Sequence, residues 1–303
     1  MKKVRRQGLG ALLKAITLKM LHILFEDLLL GRIVGPVPYK RIIFRANIGY
    51  WPNLKDPKTF NEKVEHGRLF STDPLIPIVN DKWRVRDYVA GKDLSHILND
   101  NLHTTDDPAT IPFDELPNGF VIKSNYGCAD QHVVIVRDQR MIDRAKIIAT
   151  CRKWLSPNTH RRFGFAEPKV RRIRPLIVVE RLIKDRFHEG LLDYKFFMIH
   201  GEVAFVEVEQ GRFARGVHTS IYNEEWNRQP FTRSKAPGED IPRPKHLDEM
   251  LHIARVLSED FPFTRVDLFY PEEKRIMFGE ITTFPGEQAF QPTSYDGLFG
   301  SRI

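Results

Sequence analysis

The chain has 303 residues, 42% of them hydrophobic and 28% charged, a balance that suits a packed enzyme-sized protein and excludes an extended disordered chain. Lysine and arginine number 47 against 39 aspartate and glutamate, a formal net charge of +8, which favours anionic partners such as nucleotides, acidic glycans or an anionic membrane face. Cys128 and Cys151 lie outside any CxxC or Cys/His spacing, which excludes a disulfide scaffold and a structural zinc and fits a reducing, cytoplasmic setting.

Residues 1–35 read as a basic leader running into an amphipathic helix. At 100° per residue, Lys14, Lys19, His22 and Glu26 fall on one arc, and Leu12, Leu13, Ile16, Met20, Ile23 and Leu24 on the other. No apolar run here reaches the ~20 residues that a membrane crossing needs. Two readings stay open: a helix packed on protein, or a helix lying on the inner face of the cytoplasmic membrane.

Residues 36–105 form a front section. Two helices are predicted within 57–92, PKTFNEKVEHGRLF and PLIPIVNDKWRVRDYVAG, each with apolar spacing of three to four. Residues 103–119 read as a polar connector ending at Pro117-Asn118-Gly119. FVIKSNYG (120–127) is a strand running into a glycine turn, and HVVIV (132–136) its hairpin partner. DRAKIIATCRKWL (143–155) has helical periodicity. The basic stretch RRFGFAEPKVRRIRP (161–175) lacks the aromatic and basic alternation of a base-stacking surface, so no nucleic-acid partner is expected.

LIVVERLI (176–183) is a β-branched strand. It closes a unit spanning 106–190, and 191–303 forms the last one. DYKFFMIHGEVAFVEVE (193–209) gives two strands about His200-Gly201. Residues 210–244 read as a long polar excursion, LDEMLHIARVLSEDF (247–261) as a helix, and TRVDLFYP and RIMFGEIT (264–271 and 275–282) as a closing hairpin. The fold class is α+β with largely antiparallel sheets.

The closing hairpin carries the chemistry. Residues two apart on a strand share a face, so Arg265 pairs with Asp267, and Glu280 with Thr282. If the strands pair, both sets converge on one hard cation such as Mg²⁺. Lys123 ends its strand where an ammonium can reach phosphate. Glu180, with the backbone of Arg181 and Leu182, can meet an adenine edge, and Asp193 and Lys195 can serve ribose and phosphate. Each of these also reads as a solvated charge at a strand end.

In series, these pieces resemble the ATP-grasp superfamily, and more narrowly its branch associated with teichuronopeptide and capsular polysaccharide biosynthesis (TupA-like). The carrying segments are DPKTFNEKV (56–64), NDKWRVRDYV (80–89), LPNGFVIKSNYG (116–127), VVERLI (178–183), DYKFFMIHGE (193–202), FPFTRVDLFY (261–270) and FGEITTFPG (278–286). The resemblance implies ATP held between two antiparallel sheets. Lys123 and Lys195 would contact phosphates, Glu180 and Leu182 adenine, and Asp193 ribose. Asp267, Glu280 and Thr282 would bind Mg²⁺, and Arg265 and Arg212 would stabilise charge on the reacting group.

It also implies a carboxylate–amine ligase that works through an acyl phosphate and joins an amino acid to an acidic glycan or glycan precursor. Two departures stand out. The loop SNYGCADQH after Lys123 is poorer in glycine than the family's usual phosphate-covering loop, and Thr282 stands where many such ligases place asparagine. In the front section, Asn61, Lys63, Lys82, Arg84 and Arg86 could receive a carboxylate-bearing acceptor or could be an exposed basic face. A kinase or glycan transferase on the same site, and a non-catalytic nucleotide-binding assembly factor, remain alternative readings.

Overall fold

The computed structural model describes residues 20, 35–127, 132–183, 192–210, 217–272 and 275–303. The leader helix therefore lies outside the described residues, apart from Met20. Among the described residues, no helix is long and apolar enough to cross a membrane.

The front section is helical, as the periodicity predicts. Helix α1 (Pro36–Ile48) starts on a proline that lacks the amide the first turn cannot use, and ends at left-handed Gly49. Helix α2 (Phe60–Phe70) opens with a capping box: Thr59 accepts from the Glu62 amide while Glu62 accepts from the Thr59 amide. Short helices α3 (Ile76–Val79) and α4 (Val85–Gly91) follow.

A four-stranded sheet comes next, ordered β1-β4-β2-β3 and antiparallel throughout. Its strands are β1 (Asn101–Thr105), β2 (Phe120–Ser124), β3 (Val133–Val136) and β4 (Ile177–Arg181). Strand β1 falls largely in the stretch expected to be a connector, and its pairing with β4 places residues 101–105 in this unit rather than in the front section. Between β3 and β4 lie α5 (Arg144–Leu155) and α6 (Pro157–Ala166), capped by Asp143 and Ser156. One sheet face, with Phe120, Ile122, Ile177 and Val179, packs on Ile147, Cys151 and Trp154. Cys151 is buried and its thiol is pushed up to about 12 by that burial, so it is an inert core residue. Cys128 lies outside the described residues.

The second sheet is larger. Strands β5 (Asp193–Ile199), β6 (Glu202–Gln210) and β7 (His218–Tyr222) are followed by the two-residue strands β8 (Thr232–Arg233) and β9 (Ala236–Pro237), then helix α7 (Leu247–Ser258). The hairpin β10 (Phe263–Glu272) and β11 (Arg275–Thr282), strand β12 (Phe290–Gln291) and helix α8 (Ser294–Gly300) complete it. The order is β11-β10-β5-β6-β7-β9, while β8 pairs with β12. Strands β7 to β9 occupy the excursion expected to be loop.

Strand β5 shows how the sheet divides its two faces. Tyr194, Phe196 and Met198 join the core under α7, with Val266 and Leu268 beside them. The opposite face carries Asp193 and Lys195 at one end, and Phe197 and Ile199 at the other. The apolar end packs on Phe60, Phe205 and Phe290. The polar end is left for chemistry.

Buried charges tie the front helices to the loop that follows β11. Arg68 donates to Glu65 (2.9 Å) and to the Pro285 carbonyl (2.7 Å), and pairs with Glu167. Lys40 of α1 stands between Glu167 and Glu287. Asn61 donates from its backbone and side chain to Asp296 and from its side chain to the Gln288 carbonyl.

Candidate active site

The hairpin register delivers the convergence that alternation predicts. Asp267 lies directly opposite Glu280 and Arg265 opposite Thr282. The pairing slips between Asp267 and Leu268, and Gly279 sits at that slip. A Cβ there would stand 2.8 Å from the Asp267 carbonyl oxygen and 3.1 Å from the Phe269 ring. Only glycine lets the strand close in and aim Glu280 across at Asp267.

A single guanidinium nitrogen collects the set. Arg265 Nη2 is 2.6 Å from Asp267 Oδ2, 2.9 Å from Glu280 Oε1 and 3.1 Å from Thr282 Oγ1, and Nε holds Asp267 Oδ1 at 2.6 Å. Thr282 also donates to Glu280 Oε1 at 3.0 Å. Burial alone would raise the Glu280 carboxyl, but the positive charges of Lys82, Arg265 and Lys195 outweigh it and hold it down at about 2. Among the described residues, no group of three or more His, Cys, Asp or Glu side chains could hold a metal by itself.

Lys195 stands behind this set. Its ammonium pairs with Asp193 (2.6 Å), Asp267 (3.2 Å) and Glu209 (3.5 Å) and is almost wholly buried. Burial would discharge it, yet Asp267 and Asp193 outweigh that penalty and keep it charged. The ion pairs run on: Lys235 reaches Glu209 at 2.7 Å and Glu207 at 4.0 Å, and Arg233 reaches Glu207 at 3.4 Å. Arg233 is sealed among Phe60, Phe197, Phe205 and Phe290, with Phe197 only 4.4 Å away. Glu207 and Glu209 are not among the residues expected at the site. The alternation VEVE in a strand that is otherwise apolar was the available signal, since it puts both carboxylates on the lysine's face.

On the small sheet, Lys123 and Glu180 form an ion pair of 2.7 Å on the face turned away from α5. The Leu182 amide, expected to meet a base, donates to the Gly119 carbonyl at 3.3 Å. The turn after β2 is held by Ser124, whose hydroxyl accepts from the Gly127 amide (3.0 Å) and bonds His132 Nδ1 (2.8 Å). A Cβ on Gly127 would lie 2.4 Å from His132 Cβ, so the loop closes only with glycine there.

The residues assigned to an acceptor do not assemble as a group. Asn61 is spent on Asp296 and Gln288, and Arg86 donates to the Asn99 carbonyl at 2.9 Å. Arg84 is exposed. Lys82 instead spans the two halves of the site. Its amide donates to the Asn125 carbonyl at 2.9 Å, its ammonium to the Gly127 carbonyl, and its charge acts on Glu280. Lys63 lines a separate cavity.

The family described as TupA-like ATPgrasp matches residues 63–303, a span that includes every element of both sheets. The chain belongs to the TupA-like ATPgrasp family. Among solved structures, this ATPgrasp chain is similar to the D-alanine–D-alanine ligase of Bacillus anthracis, at 17% identity over 75% of this chain and 66% of that one, with a TM-score of 0.45. It is also similar to the N5-carboxyaminoimidazole synthase of Aspergillus clavatus (13%, 68% and 44%, TM-score 0.39) and the D-alanine–D-alanine ligase of Helicobacter pylori (16%, 75% and 61%, TM-score 0.39). The chain thus spans between 44% and 66% of the length of these structures. Comparison with curated proteins gives no match. Arg212, the second arginine that the ATPgrasp resemblance singles out, lies outside the described residues.

Proposed function

We propose that the protein is an ATP-dependent carboxylate–amine ligase. The observation that carries this reading is the convergence of three oxygens, from Asp267, Glu280 and Thr282, on the one point that Arg265 Nη2 reaches. Two carboxylates and a hydroxyl form a hard-oxygen set that fits Mg²⁺. The set is too small to satisfy six-coordination alone, so phosphate oxygens and water would complete it. When bound, the ion neutralises charge across the nucleotide phosphates.

The chain's own residues divide the remaining work. Lys195, held charged by its carboxylates, and Lys123, released from Glu180, take the phosphates. Glu180 and the backbone near Leu182 face the base, and Asp193 takes the ribose. In the reaction, a carboxylate oxygen of the substrate attacks the γ-phosphorus and ADP departs. An amine then attacks the acyl carbon, and phosphate leaves as the amide forms. Arg265, joined by Arg212, stabilises charge on the reacting group.

The family's TupA-like description and the +8 net charge support an acidic glycan or glycan precursor as one substrate and an amino acid as the other. The basic leader in residues 1–30 suits work at the inner membrane surface. The deciding experiment measures ADP and phosphate release across amino acids and uronate-bearing glycans. Release that needs both a carboxylate and an amine supports the ligase. A stable phosphorylated product without free phosphate would make the protein a kinase, and nucleotide binding without turnover an assembly factor.

A further inference from the structure

A cavity of about 150 Å³ lies at the end of the β10–β11 hairpin. That is far more than one water needs, about 10–15 Å³, and leaves room for one small organic molecule. Phe261, Phe263 and Phe284 give it an aromatic wall. Lys63, Ser71 and Asp73 supply its polar atoms.

The cavity is separate from the candidate metal site, none of whose residues line it, but the two share strands β10 and β11. Phe263 precedes Arg265 by two residues and so shares its face of β10, and Thr283 directly follows Thr282. Lys63 is half-buried and its ammonium has no hydrogen-bond or ion-pair partner among the described residues, in contrast to the Asn61 and Arg86 side chains, which the fold consumes. Asp73 accepts from the Leu75 amide through Oδ1 at 2.8 Å. Its second oxygen has no such partner among the described residues. An ammonium and a carboxylate at the edge of an apolar aromatic cavity match a molecule carrying a carboxylate, an ammonium and an apolar side chain.

We infer that this cavity binds an apolar α-amino acid, the amine substrate of the ligase. Lys63 pairs with its carboxylate, Asp73 receives its ammonium, and the phenylalanines enclose its side chain. The assignment rests on the ligase reading, and of the five residues expected to receive a substrate carboxylate it keeps Lys63 alone. It also separates the two substrates in space, since a cavity of this size admits an amino acid but no glycan chain.

The test is calorimetric titration of the full chain with L-leucine, L-valine and L-phenylalanine. Two analogues of leucine serve as controls: 3-methylbutylamine, which lacks the carboxylate, and 4-methylpentanoate, which lacks the amine. At least one amino acid binds, and its analogues bind more weakly. Lys63→Ala weakens binding about ten- to hundredfold, the loss for one hydrogen bond to a charged group. Ser71→Trp, at the exposed end of α2, blocks entry without touching the core. A wild-type chain that binds none of the three, or variants that bind as wild type does, would overturn the assignment. Amino-acid binding that never stimulates ADP release would remove the ligase reading and leave the cavity's ligand standing. Amine-dependent release with an amine KM unaltered in both variants would remove the cavity alone.

Discussion

Asp267 and Glu280 face each other across adjacent strands, yet they sit in very different surroundings. The Asp267 side chain is 3% exposed and locked by Arg265 and Lys195, whereas that of Glu280 is 43% exposed and touches Arg265 with one oxygen. On the proposed reading both charges serve the same chemistry, but Asp267 carries more of the fold. Glu280→Gln is expected to lower ADP release by about a hundredfold or more, a few kcal/mol of lost charge stabilisation, with a smaller fall in melting temperature than Asp267→Asn, because solvent screens its pairing with the neighbouring cations. Asp267→Asn loses activity equally and also destabilises by about 3–5 kcal/mol, the cost of stranding buried cations. Thermal melts beside turnover assays check the contrast, and equal melting temperatures for the two variants would refute it.

The two lysines assigned to phosphate should separate in the same way. Lys195→Ala leaves Asp193, Asp267 and Glu209 facing one another in the interior, and is expected to unfold much of the population. Lys123→Ala leaves only Glu180, which is partly exposed. It should fold, and raise the KM for ATP more than it lowers kcat. Nucleotide titration of the folded variant measures this.

The charge cluster beneath α1 and α2 makes stability depend on pH. Burial, aided by the neighbouring Glu287, overcomes Arg68 and Lys40 and raises the Glu65 carboxyl from 4.5 to about 7. A raised acid stabilises the fold fully below its unfolded value, and that contribution is lost as pH climbs from about 4.5 to about 7. His132 opposes it: burial, with help from Lys82, lowers its ring to about 4, so its share is lost as pH falls from 6.5 toward 4. Glu65→Gln isolates the first effect. Its melting temperature relative to wild type should rise across pH 4.5–7 and stay level above. A constant difference across that range would show that Glu65 titrates normally.

Arg233 and Glu207 are both about 2% exposed in their side chains and 3.4 Å apart, and two of the arginine's nitrogens have no hydrogen-bond partner among the described residues. Burial lowers the guanidinium's pKa. Arg233→Met should cost about 3–5 kcal/mol by leaving a buried carboxylate, and adding Glu207→Gln should recover much of it. Denaturant unfolding of both variants tests the coupling; additive losses would contradict it.

The β10–β11 hairpin was legible because its alternation leaves few choices: Arg265 with Asp267 and Glu280 with Thr282 must share faces once the strands pair. Strands β2 and β4 were legible for their β-branched residues, and β5 for its aromatic and apolar run. Strand β1 was not, because Asn101–Thr105 is polar, lies at the sheet edge and is only partly buried along its length. Strands β8 and β9 are two residues each, and β8 pairs with β12 far along the chain, which local patterning does not reveal. Arginine reads as a surface residue, so nothing in FTRSK announced that Arg233 is enclosed by phenyl rings. Asn61 and Arg86 looked like ligand groups because a helix face shows which residues are polar, but not which neighbours will consume them.

The Asn61–Asp296 hydrogen bonds and the packing of Phe60 on Phe290 bear on how the chain is made. The smaller sheet draws all its strands from residues 101–181 and can close while synthesis continues. Helix α2, made far earlier, meets Glu167, Phe197 and Phe263 first and completes its contacts only after residues 290–296 have left the ribosome. Until then Phe60 lacks part of its covering on the nascent chain, an exposure of the kind that chaperones bind.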